Sequence, residues 1–161
     1  MSDSPKEYAF RLLNFRDRSE KQLRNKLLEK GYTEAETQQT IEYLKEAGLI
    51  DDSRLALNLL MYLDGTKMAG TKKAADTLRR RGIEDNIIQE TLSTLINGSS
   101  DVLLYGYCRE GEIEKAKIFV KKKEDYLKNN PLRVKLNKLY GMLLRRGFDA
   151  EIIAEVLKEV T

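Results

Sequence analysis

Apolar positions in this chain fall on helical spacings. Leu27, Leu78 and Leu143 each stand four residues before a glycine, with a base just before that glycine and a large apolar residue (Tyr32, Ile83 or Phe148) just after it. Apolar residues return ten and thirteen positions beyond each glycine, as Ile41 and Leu44, Leu92 and Leu95, and Leu157 and Val160. A three-residue interval keeps two side chains on one helix face. No stretch shows the two-residue alternation of a half-buried strand, and no proline interrupts the chain between Pro5 and Pro131. The intervening segments are rich in Leu, Glu, Lys, Arg and Ala, which are the residues that favour helix most. The pattern predicts an all-α fold.

Gly31, Gly48, Gly65, Gly82 and Gly98 are spaced by 17, 17, 17 and 16 residues, a length that fits about 13 helical residues plus a turn. Glycine is favoured just past a helix end, so each is expected at a terminus. Gly65, between Asp64 and Thr66, lacks the leucine–base–apolar signature. The repeating unit therefore runs from Gly31 to Gly82, which is 51 residues and three helices. The third signature comes 65 residues after the second, leaving 14 extra residues. These are assigned to a loop at Asn97–Ser100 and to Asp101–Glu110, a lengthened first helix or an insertion. Helices are expected over 5–16, 19–30, 34–47, 53–64, 71–81, 84–96, 112–124, 132–146 and 149–160. Ser19 with Gln22 reads as a capping box, and Asp52 as an N-cap. The expected architecture is an elongated, curved array of three three-helix repeats, at 1–50, 51–97 and 98–161, the last with an insertion near its start.

Composition narrows the chemistry. The 161 residues include no His, no Trp and one Cys. Ser-His-Asp and Cys-His catalysis are excluded, as are imidazole and Cys-rich metal sites and an internal disulfide. The N-terminal sequence lacks the basic start and apolar core of a secretion signal. No apolar run approaches the ~18 residues that span a bilayer. Leu55–Leu63, the longest such stretch, is broken by Asn58. A soluble, cytoplasmic monomer without metal or cofactor is expected. Net charge is +3, from 29 basic and 26 acidic residues, and the excess lies in the C-terminal third. That balance argues against a polycation but leaves room for local basic stripes.

Several motifs carry candidate chemistry. Gly65–Lys72 superficially resembles a phosphate-binding loop, but Lys follows Thr71 instead of preceding it, and no strand leads in. It reads as a turn capped by Thr71. The acidic pairs Asp51–Asp52 and Glu124–Asp125 read as helix-start and surface charges. Cys108 stands beside Arg109, which could activate a thiol, but without His it reads as an incidental or buried side chain. Lys121–Lys123 reads as a solubilising run. Tyr8, Phe15, Tyr32, Tyr43, Tyr62, Tyr105, Tyr107 and Tyr140 fall mostly at core spacings.

The basic clusters are more telling. Arg16, Arg18, Arg24, Lys26 and Lys30 follow helical spacing in the first repeat. Lys72, Lys73, Arg79, Arg80 and Arg81 mark the middle helix of the second, and Arg133, Lys135, Lys138, Arg145 and Arg146 that of the third. A basic end on the same helix of each repeat suits a polyanion or an acidic partner. Bases that merely complement helix dipoles are the other reading.

Arg16, Asp17, Arg18, Ser19 and Glu20, then Leu23, Lys26, Leu27, Lys30, Gly31 and Tyr32, then Gly48–Asp52 with Ala56, resemble the RecX regulators of bacterial RecA recombinase. The second and third signatures are similar to that family's tandem repeats, and the likeness is most specific over Leu13–Leu95. The chain departs at Leu55, where the family often has an aromatic residue. The resemblance implies a non-enzymatic modulator, in the inhibitory sense, that binds the RecA filament on single-stranded DNA. It would lie along the filament groove and limit growth, ATPase and strand exchange in DNA repair, recombination and the SOS response. Direct contact with DNA is a further option. The alternative is a helix-turn-helix DNA-binding transcription regulator, against which near-neutral charge and triplication count. A helical scaffold for unrelated proteins is a third reading.

Overall fold

The computed structural model describes residues 4–97 and 106–160, and among the described residues there are nine α-helices and no strand. They are α1 (Pro5–Phe15), α2 (Glu20–Lys30), α3 (Glu34–Glu46), α4 (Asp52–Lys67), α5 (Thr71–Arg80), α6 (Asp85–Asn97), α7 (Arg109–Leu127), α8 (Leu132–Arg145) and α9 (Ala150–Lys158). The fold is an all-α repeat in which α1–α3, α4–α6 and α7–α9 follow one another as three-helix repeats.

The recurring signature is a helix-closing turn. Gly31, Gly82 and Gly147 have φ of +99°, +80° and +82°, a left-handed conformation that glycine adopts without steric penalty. The N–H of the apolar residue after each glycine returns to the leucine carbonyl five residues back: Tyr32 to Leu27 at 3.2 Å, Ile83 to Leu78 at 3.2 Å, Phe148 to Leu143 at 3.3 Å. This is the Schellman closure, in which the flanking apolar residues pack over the turn. All three leucines are fully buried.

Other expectations need correction. Gly65 does not end a helix but lies inside α4, which runs on to Lys67. An interior glycine weakens a helix by about 1 kcal/mol relative to alanine without breaking it. Asn97, expected in a loop, is the last residue of α6; 98–100 of the expected Asn97–Ser100 loop, Gly98 among them, lie outside the described residues, as do 101–105 of the expected insertion. Gly106 and Tyr107 form a tight 3-10 turn, and α7 starts at Arg109, three residues earlier than expected. Asp52 is not the cap of α4. Asp51 caps it, accepting the Arg54 N–H at 2.9 Å, which leaves Asp52 for another helix. Thr71 is not a cap either, since it is the first residue of α5. Ser19 forms only half of the expected box. It accepts the Gln22 N–H at 3.2 Å, but the Gln22 Oε1 does not accept the Ser19 N–H in return.

The chain divides into two compact units, Met1–Asn58 with Leu78–Gln89, and Leu59–Thr77 with Glu90–Thr161. In the first, Ala9, Leu23, Leu27, Ile41, Leu44 and Ile50 form a core under Tyr8, Phe10 and Tyr32. In the second, Ala116, Phe119, Val120, Leu139, Leu143, Phe148 and Ile153 lie in one cluster.

Each unit contains the same joint. In the first, the α5–α6 turn rests on the N-terminus of α2. Ser19 Oγ donates to the Arg81 carbonyl at 2.5 Å, and Asp52 Oδ1 accepts the Glu20 N–H at 3.0 Å. In the second, the α8–α9 turn rests on the N-terminus of α5. There the Gly70 N–H donates to the Arg146 carbonyl at 2.9 Å, Glu112 Oε1 accepts the Thr71 N–H at 2.7 Å, and the Lys72 N–H donates to the Gly147 carbonyl at 3.3 Å. Ser19 and Gly70 are 51 residues apart, and so are Glu20 and Thr71. The backbones come very close. A Cβ on Gly147 would lie 2.2 Å from the Lys73 nitrogen, and one on Gly70 would lie 2.5 Å from the Gly147 carbonyl oxygen.

Gly31 provides an internal control, because at φ +99° a Cβ placed on it would meet nothing within 4 Å. Gly31→Ala should cost only the left-handed penalty of about 1–2 kcal/mol. Gly147→Ala should cost clearly more, since it also forces the joint apart. Urea unfolding of both variants measures the difference, and equal losses would contradict the joint.

Candidate functional site

The fifteen bases singled out from sequence have different fates. In the first repeat, Arg16 and Arg18 are not on α2: Arg16 caps the end of α1 and Arg18 lies in the connection. Arg24 is held by Glu34 at 2.8 Å and by Gln38, and Lys26 by Glu29 at 2.5 Å. Lys30 is exposed, its ammonium 5.8 Å from the Tyr8 ring. On α5, Lys72 pairs with Asp149 at 2.6 Å and Arg79 with Asp85 at 2.7 Å. Lys73 and Arg80 are exposed. On α8, Lys135 reaches Glu124 at 3.9 Å and Lys138 reaches Asn130 at 2.8 Å, while Arg133 and Arg145 are exposed. Arg146 donates to the Lys67 carbonyl and lies over the Phe119 ring at 4.4 Å. Many of the bases thus already have a partner within the protein.

What recurs is the base directly before each signature glycine, Lys30, Arg81 and Arg146. Its carbonyl makes the joint in the second and third cases, so its side chain is fixed at the joint. In the first unit this brings Arg81 against the α1–α2 connection, where Arg16 and Arg18 lie. Burial, followed by repulsion from Arg16, holds the Arg18 pKa below the ordinary arginine value, and Arg81 adds to the repulsion.

The phosphate-loop-like segment is occupied from within. The α5 amides such a loop would offer are already used, Thr71 on the Glu112 carboxylate and Lys72 on the Gly147 carbonyl. Cys108 is half-exposed and not buried. It caps α7, its sulfur accepting the Gly111 N–H at 3.4 Å. Four of the eight aromatic residues expected mostly at core positions are not core: Phe15 is 84% exposed, and Tyr43, Tyr62 and Tyr140 are also exposed, while Tyr8 and Tyr32 pack on the first core. Tyr107 is buried and donates to the Leu60 carbonyl at 2.7 Å, and Tyr105 lies outside the described residues.

Sequence reasoning missed Lys115 and Glu112, and gave Asp52 to the wrong helix. Lys115 is buried, with its ammonium 2.7 Å from Asp64 and 2.9 Å from the Ala69 carbonyl; its place among Ile113, Ala116 and Phe119 was the available signal. Asp52 and Glu112 are the joint carboxylates. Burial pushes both above the usual carboxylate range, and amide hydrogen bonds from Glu20 and Thr71 oppose the shift. An open cleft of about 770 Å³ lies over the first joint. Among its lining charges, Glu20 pairs with Lys45 at 2.9 Å and with Arg24 at 3.7 Å. Among the described residues, no cluster of three or more His, Cys, Asp or Glu could hold a metal ion, and no helix is long and apolar enough to cross a membrane.

Comparison with known proteins points to one family. A family model described as the first three-helix domain of RecX matches residues 6–44, and one for its third three-helix domain matches residues 110–157. A "Regulatory protein RecX" from Chlorobium phaeobacteroides is 31% identical over 154 residues, covering 96% of this chain and 91% of the relative. A protein of the same name from Clostridium botulinum is 31% identical over 157 residues, covering 96% of this chain and 67% of its own length. The crystal structure of RecX from Lactobacillus salivarius superposes with a TM-score of 0.80 at 24% identity, over 97% of this chain and 94% of that one. This last match speaks to the fold.

The joint carboxylates give a pH signature. A carboxyl whose folded pKa is raised contributes its full stability below the ordinary carboxylate range and loses it as pH rises through the folded pKa. Glu112→Gln keeps the acceptor for the Thr71 amide and removes the buried charge. The stability of the variant relative to the parent should therefore increase as pH rises from the ordinary carboxylate range through the raised folded pKa. Urea midpoints across that range check this, and a difference that stays constant or falls would contradict it.

Proposed function

The chain belongs to the RecX family of regulatory proteins, and on that premise we propose that it is a non-enzymatic modulator of RecA recombinase. It binds the RecA filament on single-stranded DNA and limits filament growth, ATPase and strand exchange. It acts as a cytoplasmic monomer whose three repeats, divided near residues 50 and 97, lie along the filament. The observation that carries this reading is 31% identity to a "Regulatory protein RecX" spanning 91% of that relative's length.

Physical considerations support it. A polymer presents the same surface again and again, and linked repeats turn each later contact into an intramolecular one. The array therefore prefers a filament to a free subunit even when each contact is modest. Exposed bases such as Lys73, Arg80, Arg133 and Arg145 belong to the filament-facing surface in this reading. Bases held by internal acids, such as Arg24 and Arg79, contribute less, because their charge is already compensated.

The test is a three-way titration of the purified chain against RecA filaments on single-stranded DNA, free RecA and bare single-stranded DNA, with RecA ATPase read in parallel. Binding should be tightest to the filament, with ATPase falling as the chain saturates it. Equal affinity for free RecA and filament, with ATPase unchanged at saturation, would overturn the proposal.

A further inference from the structure

Arg16, Arg18 and Arg81 lie about the first joint; Asp17 stands between the first two in the chain, and Asp17 and Asp51 line one pocket with Arg18 without pairing with it. Ser19 Oγ donates to the Arg81 carbonyl at 2.5 Å, and a Cβ on Gly82 would lie 3.0 Å from the Ser19 Oγ. Arg81 is thereby pressed against the connection that carries Arg16 and Arg18. Arg18 Nε reaches only the Leu12 carbonyl, at 3.5 Å, among the described residues. One terminal nitrogen of Arg81, Nη1, is buried and has no acceptor. None of the three forms an ion pair among the described residues. Gathering like charges and leaving a buried donor unsatisfied both work against folding.

The second joint shows that this need not be so. Lys67 stands three residues before Gly70, as Arg16 stands three before Ser19, and Arg146 occupies the place of Arg81. There the arginine is used up inside the protein, on the Lys67 carbonyl and the Phe119 ring. At the first joint the equivalent group is half-buried, with one nitrogen lacking an acceptor. Next to Arg16 in the chain, Phe15 ends α1 with 84% of its surface exposed and no place in the core of its unit.

We propose that Arg16, Arg18 and Arg81, together with Phe15, form a binding site for single-stranded nucleic acid, in which the guanidinium groups take backbone phosphate oxygens and the phenyl ring stacks on a base. Guanidinium forks match phosphate geometry, and their donors are the ones the protein leaves unused. An acidic protein surface would satisfy the arginines equally well but gives no role to an exposed aromatic ring. A base supplies a π-face for it. The inference rests on the proposed filament-binding function and names the component of the filament that this face meets.

The test uses the full chain and a fluorescein-labelled oligo-dT of about 20 nucleotides, long enough to cover a single-strand site, titrated by anisotropy over a range of NaCl concentrations. R16Q/R18Q should weaken binding about tenfold or more and make the plot of log affinity against log salt shallower by about 1.4, the loss of two phosphate contacts to a single strand. F15A should weaken binding about fivefold or more while leaving the salt slope unchanged, because stacking releases no counterions. If R16Q/R18Q does not fold, R16Q alone and F15A, both at exposed positions, decide the matter. Wild-type affinity and slope in the folded variants would overturn the site, as would failure of the parent chain to bind the oligonucleotide. If the variants lose RecA filament binding but keep oligonucleotide binding, the arginines face acidic protein instead, and the site falls while the filament function stands. If oligonucleotide binding fails in the variants as stated but the parent chain shows no preference for filament, the site stands and the filament function falls.

Discussion

The seating of a helix-closing turn on the N-terminus of another helix organises each compact unit. A helix N-terminus presents amides that no intrahelical carbonyl can satisfy, and leaving one buried costs about 1–3 kcal/mol. At α2 and at α5 the first amide is met by a neighbouring carboxylate, Asp52 or Glu112; the turn carbonyls meet the Gly70 and Lys72 amides at α5, and at α2 the Arg81 carbonyl takes the Ser19 hydroxyl instead. Glycine is required twice at the second joint, once for the left-handed turn at Gly147 and once at Gly70, where a Cβ would strike the opposing carbonyl. The geometry fixes register, since a turn displaced by one residue would put a different carbonyl on the amides.

Charge placement follows from the same constraint. The residue whose carbonyl makes the joint is a base, so a guanidinium is delivered to each joint whether or not the fold has an acid ready for it. In the second unit the fold absorbs Arg146. In the first it leaves Arg81 beside Arg16 and Arg18. The residues that build the repeat thus also set where its arginines stand.

Much of this was legible in the sequence because the closing turn is local chemistry. A leucine, a base, a glycine and an apolar residue at fixed spacing encode the Schellman hydrogen bonds, and Leu27, Leu78 and Leu143 are buried as expected. The described helices follow from it to within a few residues. What sequence could not supply were partners distant in the chain. Asp52 has the composition of a cap, yet it caps α2 and not its own helix. Gly65 has the spacing of a terminator, but it lies within a helix whose neighbouring Asp64 is tied down by Lys115. Phe15 has core spacing but is the last residue of α1, where the helix leaves its packing partners. Whether a base is internally paired also depends on long-range neighbours, so the fifteen bases could be counted but not sorted.

Amide hydrogen exchange tests the joint most directly. Gly70 and Thr71 donate across it, whereas α8 begins at Leu132 behind Pro131, with no side-chain cap over its first amides. If the joint governs the fold, Gly70 and Thr71 exchange far more slowly than Leu132 and Arg133, at rates approaching those of core amides such as Leu78. Exchange at Gly70 and Thr71 as fast as at Leu132 would contradict it.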